Sequence, residues 1–115
     1  KKLMKPTQEQ LREYFLNNEA LCRQVLTLFS LLSNKTRFRI LCLLNESDFC
    51  VRDITDIIDA GAISHVSQQL KALTLAGLIT KKRDKKRVYY RLSDKKFRAL
   101  IRFLKRQYLV PAPGA

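Results

Sequence analysis

The chain has 115 residues, 46% apolar and 29% charged, a globular balance that excludes an intrinsically disordered protein. Twenty-three Lys and Arg against ten Asp and Glu leave a net charge of +13, which calls for a polyanionic partner. No run of about eighteen apolar residues spans a bilayer, and no signal peptide is visible. Nucleic acid is the first candidate partner, ahead of an anionic membrane surface or simple solubility. The length suits one domain over residues 1–110, large enough to bury roughly two-thirds of its unfolded surface.

In chain order, Lys1 to Lys5 is a basic tail, and the start at Lys1 without an initiator Met leaves room for a few residues ahead of it. Pro6-Thr7-Gln8-Glu9-Gln10 reads as a helix start, with Thr7 as cap and Gln10 closing a capping box. Leu11, Tyr14 and Phe15 give that helix an apolar stripe, and Asn17-Asn18 interrupts or bends it. From Glu19 to Leu32 a second helix is apolar on two sides. Leu21, Val25, Leu28 and Leu32 form one stripe, and Cys22, Leu26 and Phe29 the next, enough for its own core and a partner chain. Ser33-Asn34 caps a third helix with Phe38, Leu41 and Leu44 inward and Arg37 and Arg39 outward.

Asn45-Glu46-Ser47-Asp48 reads as a loop. A short helix over Val51–Ile58 follows, with Ile54, Ile57 and Ile58 on one side, and Asp59-Ala60-Gly61 is a tight turn. In the next helix Ile63, Val66, Leu70 and Leu73 fall on one narrow arc at 100° per residue. Ser64, Gln68 and Lys71 point the opposite way, and His65 sits on the flank. Two helices joined by a short Gly-containing turn form a helix-turn-helix pattern. The second carries hydroxyl, amide and amine groups on its outer face, as a major-groove reader does. Gly77 stops that helix with a left-handed cap.

Residues 78–83 and 87–92 are β-prone runs around Asp84-Lys85-Lys86, which predicts a hairpin. Lys81, Lys82, Arg83, Lys85, Lys86, Arg87 and Arg91 crowd this stretch with only Asp84 against them. That imbalance favours phosphate binding over a solvated edge hairpin protected by Lys. Ser93 is expected to cap the last helix, with Phe97, Leu100, Ile101, Leu104 and Tyr108 on its apolar stripe. Its outer face carries Lys95, Lys96, Arg98, Arg102, Lys105 and Arg106. Pro111 and Pro113 end it, leaving 111–115 as a loose tail.

The expected fold class is mainly α with a β-hairpin wing, a winged helix-turn-helix. The residues expected at DNA are Ser64, His65, Ser67, Gln68, Gln69 and Lys71 of the helix, with Lys81, Lys82, Arg83, Lys85, Lys86 and Arg87 of the hairpin. The competing reading is a winged-helix module that grips structured RNA or an acidic protein. No paired carboxylates, Ser/His/Asp arrangement or phosphate-cradling Gly loop suggests an enzyme.

Four stretches carry a resemblance to a known family. Leu28-Phe29-Ser30-Leu31-Leu32-Ser33-Asn34-Lys35-Thr36-Arg37-Phe38-Arg39-Ile40-Leu41 looks like a helix junction written LADPTRLRIL. Val66-Ser67-Gln68-Gln69-Leu70-Lys71-Ala72-Leu73 with Ala76-Gly77-Leu78-Ile79 looks like VSxHLKxLxxAGLV. Arg87-Val88-Tyr89-Tyr90-Arg91-Leu92 looks like a second wing strand, and Phe49-Cys50-Val51-Arg52-Asp53-Ile54 stands where LCVCDL is found. Over residues 25–108 the chain resembles the ArsR/SmtB winged-helix repressors of bacteria. The resemblance implies a homodimer joined by the first and last helices, while the odd count of cysteines without framework spacing points to the cytoplasm. It places Leu21, Val25, Leu28, Phe97, Leu100, Ile101, Leu104 and Tyr108 at the dimer interface. It also implies an inverted-repeat operator on double-stranded DNA, released when an inducer binds.

Three cysteines, Cys22, Cys42 and Cys50, without framework spacing suit a reducing compartment. Arg52 replaces the second Cys of LCVCDL and opposes a cation there. The last helix has no His and only Asp94 near its start, so the family's other metal site is absent. Cys50 and Cys22 stand as candidate sensory thiols. They would hold a thiophilic metal or metalloid across the dimer, or Cys50 would react as a thiolate favoured by Arg52 and the helix N-terminus. The alternative is that all three are packing residues, with Cys42 a buried small hydrophobe. His65 reads as a DNA contact ahead of a passive surface residue.

Overall fold

A computed structural model describes residues 4–109; residues 1–3 of the basic tail and the tail at 111–115 lie outside that range. The contacts divide the chain after Leu31 into two compact units, where composition suggested one domain.

In the first unit the capping box forms as its residue types require. Thr7 Oγ1 accepts from the Gln10 amide at 3.1 Å, and Gln10 Oε1 accepts from the Thr7 amide at 2.8 Å. Helix α1 (Gln8–Asn17) follows, and Asn18 ends it. The Asn18 side chain donates to the Tyr14 carbonyl at 2.8 Å, and its own carbonyl accepts from the Cys22 amide at 2.9 Å. Asn18 thus closes α1 and opens α2 (Glu19–Leu32), the interruption read from the Asn pair. No residue of either helix is buried. Tyr14, Phe15, Leu16, Leu21, Val25, Leu26 and Phe29 are all exposed. Of the two stripes read along α2, Leu28 and Leu32 are half-buried and Leu21, Cys22, Val25, Leu26 and Phe29 are exposed among the described residues.

The second unit holds α3 (Lys35–Glu46), β1 (Phe49–Cys50), α4 (Val51–Ile58), α5 (Ile63–Leu75), β2 (Ile79–Asp84), β3 (Arg87–Leu92) and α6 (Lys95–Tyr108). Asn34 caps α3, its Oδ1 accepting from the Arg37 amide at 2.9 Å. Ile40, Leu41 and Leu44 of α3 meet Ile54 and Ile58 of α4 and Val66, Leu70 and Leu73 of α5 in a core without a buried polar side chain among the described residues. Each such side chain contributes roughly 1.5–3 kcal/mol by leaving water.

Several helix faces differ from the sequence reading. Ile57 and Ile63 are exposed, because three-helix packing accepts a narrower arc from each helix than the periodicity outlines. Ile40, not read as inward, is fully buried, and Arg37, read as outward, is half-buried. On α6, Phe97 and Ile101 are spent on the core of their own unit. Leu100 and Leu104 are half-buried, and Tyr108 is 76% exposed. Two of the residues expected at the dimer interface are thus already covered. Lys105, read as outer, is half-buried, ion-paired with Glu46 and donating to the Cys42 carbonyl at 3.4 Å. Asp94, not Ser93, caps α6: its Oδ1 accepts from the Phe97 amide at 2.7 Å. The Ser93 amide is taken by the Leu78 carbonyl at 3.0 Å, which extends the hairpin pairing.

The sheet is antiparallel with strand order β1-β3-β2. Strand β1 was not expected. Two residues are too few to show alternation, and they become a strand only because Phe49 pairs with Tyr90 and Cys50 with Tyr89. The expected loop before it shortens accordingly, since α3 runs through Glu46.

Truncating the core should separate the two kinds of isoleucine and leucine. Leu41→Ala should cost about 2–5 kcal/mol in urea unfolding, and Ile57→Ala only about 0.5 kcal/mol or less.

Candidate nucleic-acid interface

Two left-handed residues set the angle at which α5 leaves α4. Asp59 has φ 49° and Gly61 φ 83°, the second a value glycine adopts without a Cβ penalty. The other end of α5 closes in a Schellman motif around Gly77 at φ 79°. The Leu78 amide reaches the Leu73 carbonyl and the Gly77 amide the Thr74 carbonyl, each at 3.0 Å. This cap turns the chain from the helix directly into β2, so wing and helix are coupled by a short, fixed corner.

Val66, Leu70 and Leu73 are wholly buried, which leaves Ser64, His65, Ser67, Gln68 and Lys71 exposed on α5. Gln69 is different. It is half-buried, and its Oε1 accepts from Arg37 Nη1 at 2.9 Å. His65, although exposed, has Nε2 3.3 Å from Thr36 Oγ1. Both flank residues expected at DNA are thus tied to the start of α3. Thirty or so positions separate the partners, and no periodicity in the chain marks such a pairing.

The wing stands on Ile79 and Leu92, which pair across the strands and are both buried. Beyond that anchor Lys81, Lys82, Arg83, Lys85, Lys86 and Arg87 are all exposed. Asp84 pairs with Arg87, so Lys85 and Lys86 alone make the turn, with Lys85 at φ 58°. Asn or Gly is more comfortable in that region. Lysines there place two ammonium groups at the tip at some conformational cost. Arg91 is not part of this array, because its Nε meets Asp48 Oδ2 at 3.4 Å and ties the wing base to the chain before β1. Arg52, Lys81 and Arg87 line an open groove of about 530 Å³ between the start of α4 and the wing. Arg52 is a cation that the hairpin pattern did not include. Burial raises the hydroxyl pKa of Tyr90, which lines the same groove.

Cys22 is exposed on α2, Cys42 is half-buried on α3, and Cys50 is buried at the start of α4. Cys50 forms part of the wall of the groove beside Arg52, but only 9% of it is exposed, which limits attack at its sulfur. Burial raises the Cys42 thiol pKa, opposed by the Lys105 ammonium and reinforced by the Glu46 carboxylate. Among the described residues no three of His, Cys, Asp and Glu gather as a metal site would need.

The model of bacterial regulatory proteins of the arsR family matches residues 34–81, the span from the α3 cap into the wing. The chain is 31% identical over 86 residues to the biofilm growth-associated repressor of Xylella fastidiosa strain Temecula1, covering 75% of each chain. It belongs to the ArsR family. Among solved structures, reduced HlyU from Vibrio cholerae N16961 superposes with a TM-score of 0.74 at 27% identity, over 80% of this chain and 96% of that one. A homodimeric winged helix-turn-helix DNA-binding domain from Mycobacterium bovis gives a TM-score of 0.67 at 25% identity, over 82% of this chain and 94% of that one. This ArsR-family chain is a DNA-binding transcriptional regulator with a winged helix-turn-helix fold. No helix among its described residues is long and apolar enough to cross a membrane.

Helix and wing should fail differently when mutated. Lys85→Ala or Lys86→Ala should weaken binding to all duplexes alike and flatten the salt slope by about one per lost phosphate contact. Ser64→Ala or Gln68→Ala should instead relax base preference by about 1–3 kcal/mol at one pair. Fluorescence anisotropy over a salt series and a panel of single-base changes reads both. Alkylation followed by mass spectrometry should label exposed Cys22 first, with the pH profile of Cys42 displaced above that of an ordinary thiol.

Proposed function

We propose that the protein is a homodimeric repressor that binds an inverted-repeat operator through α5 and the wing and leaves it when an inducer binds. One observation carries the reading. The exposed outer face of α5 (Ser64, Ser67, Gln68 and Lys71) runs through the Gly77 corner into a wing whose exposed side chains are nearly all cations. Amide and hydroxyl groups suit base edges, and the flanking ammonium and guanidinium groups suit the phosphates on either side. Arg52 adds a further positive group next to the wing.

Support for the dimer comes from Leu21, Val25, Leu26 and Phe29, apolar side chains that are exposed among the described residues, and from the homodimeric M. bovis neighbour. On α6, Leu100, Leu104 and Tyr108 remain for the contact, with Phe97 and Ile101 already used inside. The protein acts in the cytoplasm, not as an enzyme, and its relatives are transcriptional regulators. The inducer is a thiol-reactive compound or a thiophilic metal or metalloid, and Cys22 is the thiol most open to it. Cys50 would respond only through the groove that it lines.

Sedimentation at micromolar concentration should give a dimer. Binding to an inverted repeat with half-sites about 34–36 Å apart should exceed binding to a single half-site and to structured RNA at equal salt. A monomer, or equal affinity for RNA and duplex, would exclude the proposal.

A further inference from the structure

His65 and Gln69 lie four residues apart on the flank of α5, between its buried seam and its outer face. Consecutive residues at the start of α3 engage them. Thr36 Oγ1 lies 3.3 Å from His65 Nε2, and Arg37 Nη1 donates to Gln69 Oε1 at 2.9 Å. The second contact has only one chemically sensible orientation. A guanidinium carries donors and no acceptor, so the amide end that meets it must be the carbonyl. Arg37 is itself fixed at its backbone, where its amide donates to the Asn34 cap at 2.9 Å.

An amide side chain reads adenine with both ends, donating to N7 and accepting from the N6 amine. Gln69 is half-buried and one lone pair of its Oε1 is taken by Arg37, which fixes the amide toward α3 and hinders its use in a bidentate adenine contact. Gln68, next to it and exposed, keeps both ends. We infer that Arg37 is a positioning residue for specificity. It withholds the Gln69 carbonyl from the base edges, so that adenine pairing by α5 falls to Gln68 alone. Without that tie, two adjacent glutamines with the same chemistry would offer competing registers on the operator. The inference rests on the reading of α5 as the base-reading helix.

Selection of binding sites from randomised duplexes by the full chain, its Arg37→Met variant and its Gln69→Glu variant tests it, with melting curves to establish folding. Arg37→Met frees the Gln69 carbonyl and should add a preference for adenine of about tenfold at one further base pair of each half-site. Gln69→Glu still accepts from Arg37. It should keep the wild-type preference at every position while weakening all duplexes together, because the added negative charge opposes phosphate. A folded Arg37→Met variant that selects the wild-type site would overturn the inference. So would a Gln69→Glu variant that gains a cytosine preference, the mark of a carboxylate free to accept from N4. Should Arg37→Met fail to fold, the Gln69→Glu profile decides alone. Wild-type protein that selects no sequence overturns a different claim, the base-reading role of α5 itself.

Discussion

The second unit depends on the burial of one narrow apolar seam. Val66, Leu70 and Leu73 are the only side chains of α5 that are wholly withdrawn from water, and they meet α3 and α4 there. The rest of that helix is polar, half-buried or exposed, and a net charge of +13 works against compaction throughout. A seam three residues wide suffices because the neighbouring helices bring Ile40, Leu41, Leu44 and Ile54, each with no exposed surface. Its narrowness leaves most of the α5 circumference for recognition.

The cations are arranged with the same economy. Ile79 and Leu92 root the hairpin in the core, and every Lys and Arg from Lys81 to Arg87 lies beyond that root. Arg91 and Lys105, also basic, are turned to structural use by Asp48 and Glu46. The remaining like charges repel one another until a polyanion neutralises them, so counterion release should make binding to it fall steeply with salt. In the proposed complex, phosphate contacts would hold register and the few polar groups on α5 would supply sequence information.

The first unit presents the opposite chemistry. Helix α1 is capped and internally bonded, yet most aromatic and aliphatic side chains of α1 and α2 are exposed. Helices of this length gain little from propensity alone. Their stability therefore calls for apolar contact, which the proposed dimer would provide. The cysteines follow no shared design, since their burial ranges from exposed at Cys22 to buried at Cys50.

The sequence by itself determined the features set by local chemistry. These include the Thr7 and Asn34 caps, the break at Asn18, the turn through Gly61, the Gly77 stop and the hairpin with its cations. Each follows from a side chain acting within a few residues of its own backbone, so spacing reveals it. Tertiary structure decided everything that needs a distant partner. Strand β1 exists only by pairing with β3, Ile57 and Ile63 lie outside the arc that packing accepts, and Phe97 and Ile101 go to the core of their own unit. The same holds for Gln69: its residue type speaks for base reading, but the fold brings Arg37 to its carbonyl oxygen. A helical period tells which side chains share a face. Which of them find a partner is fixed by contacts between residues far apart in the chain.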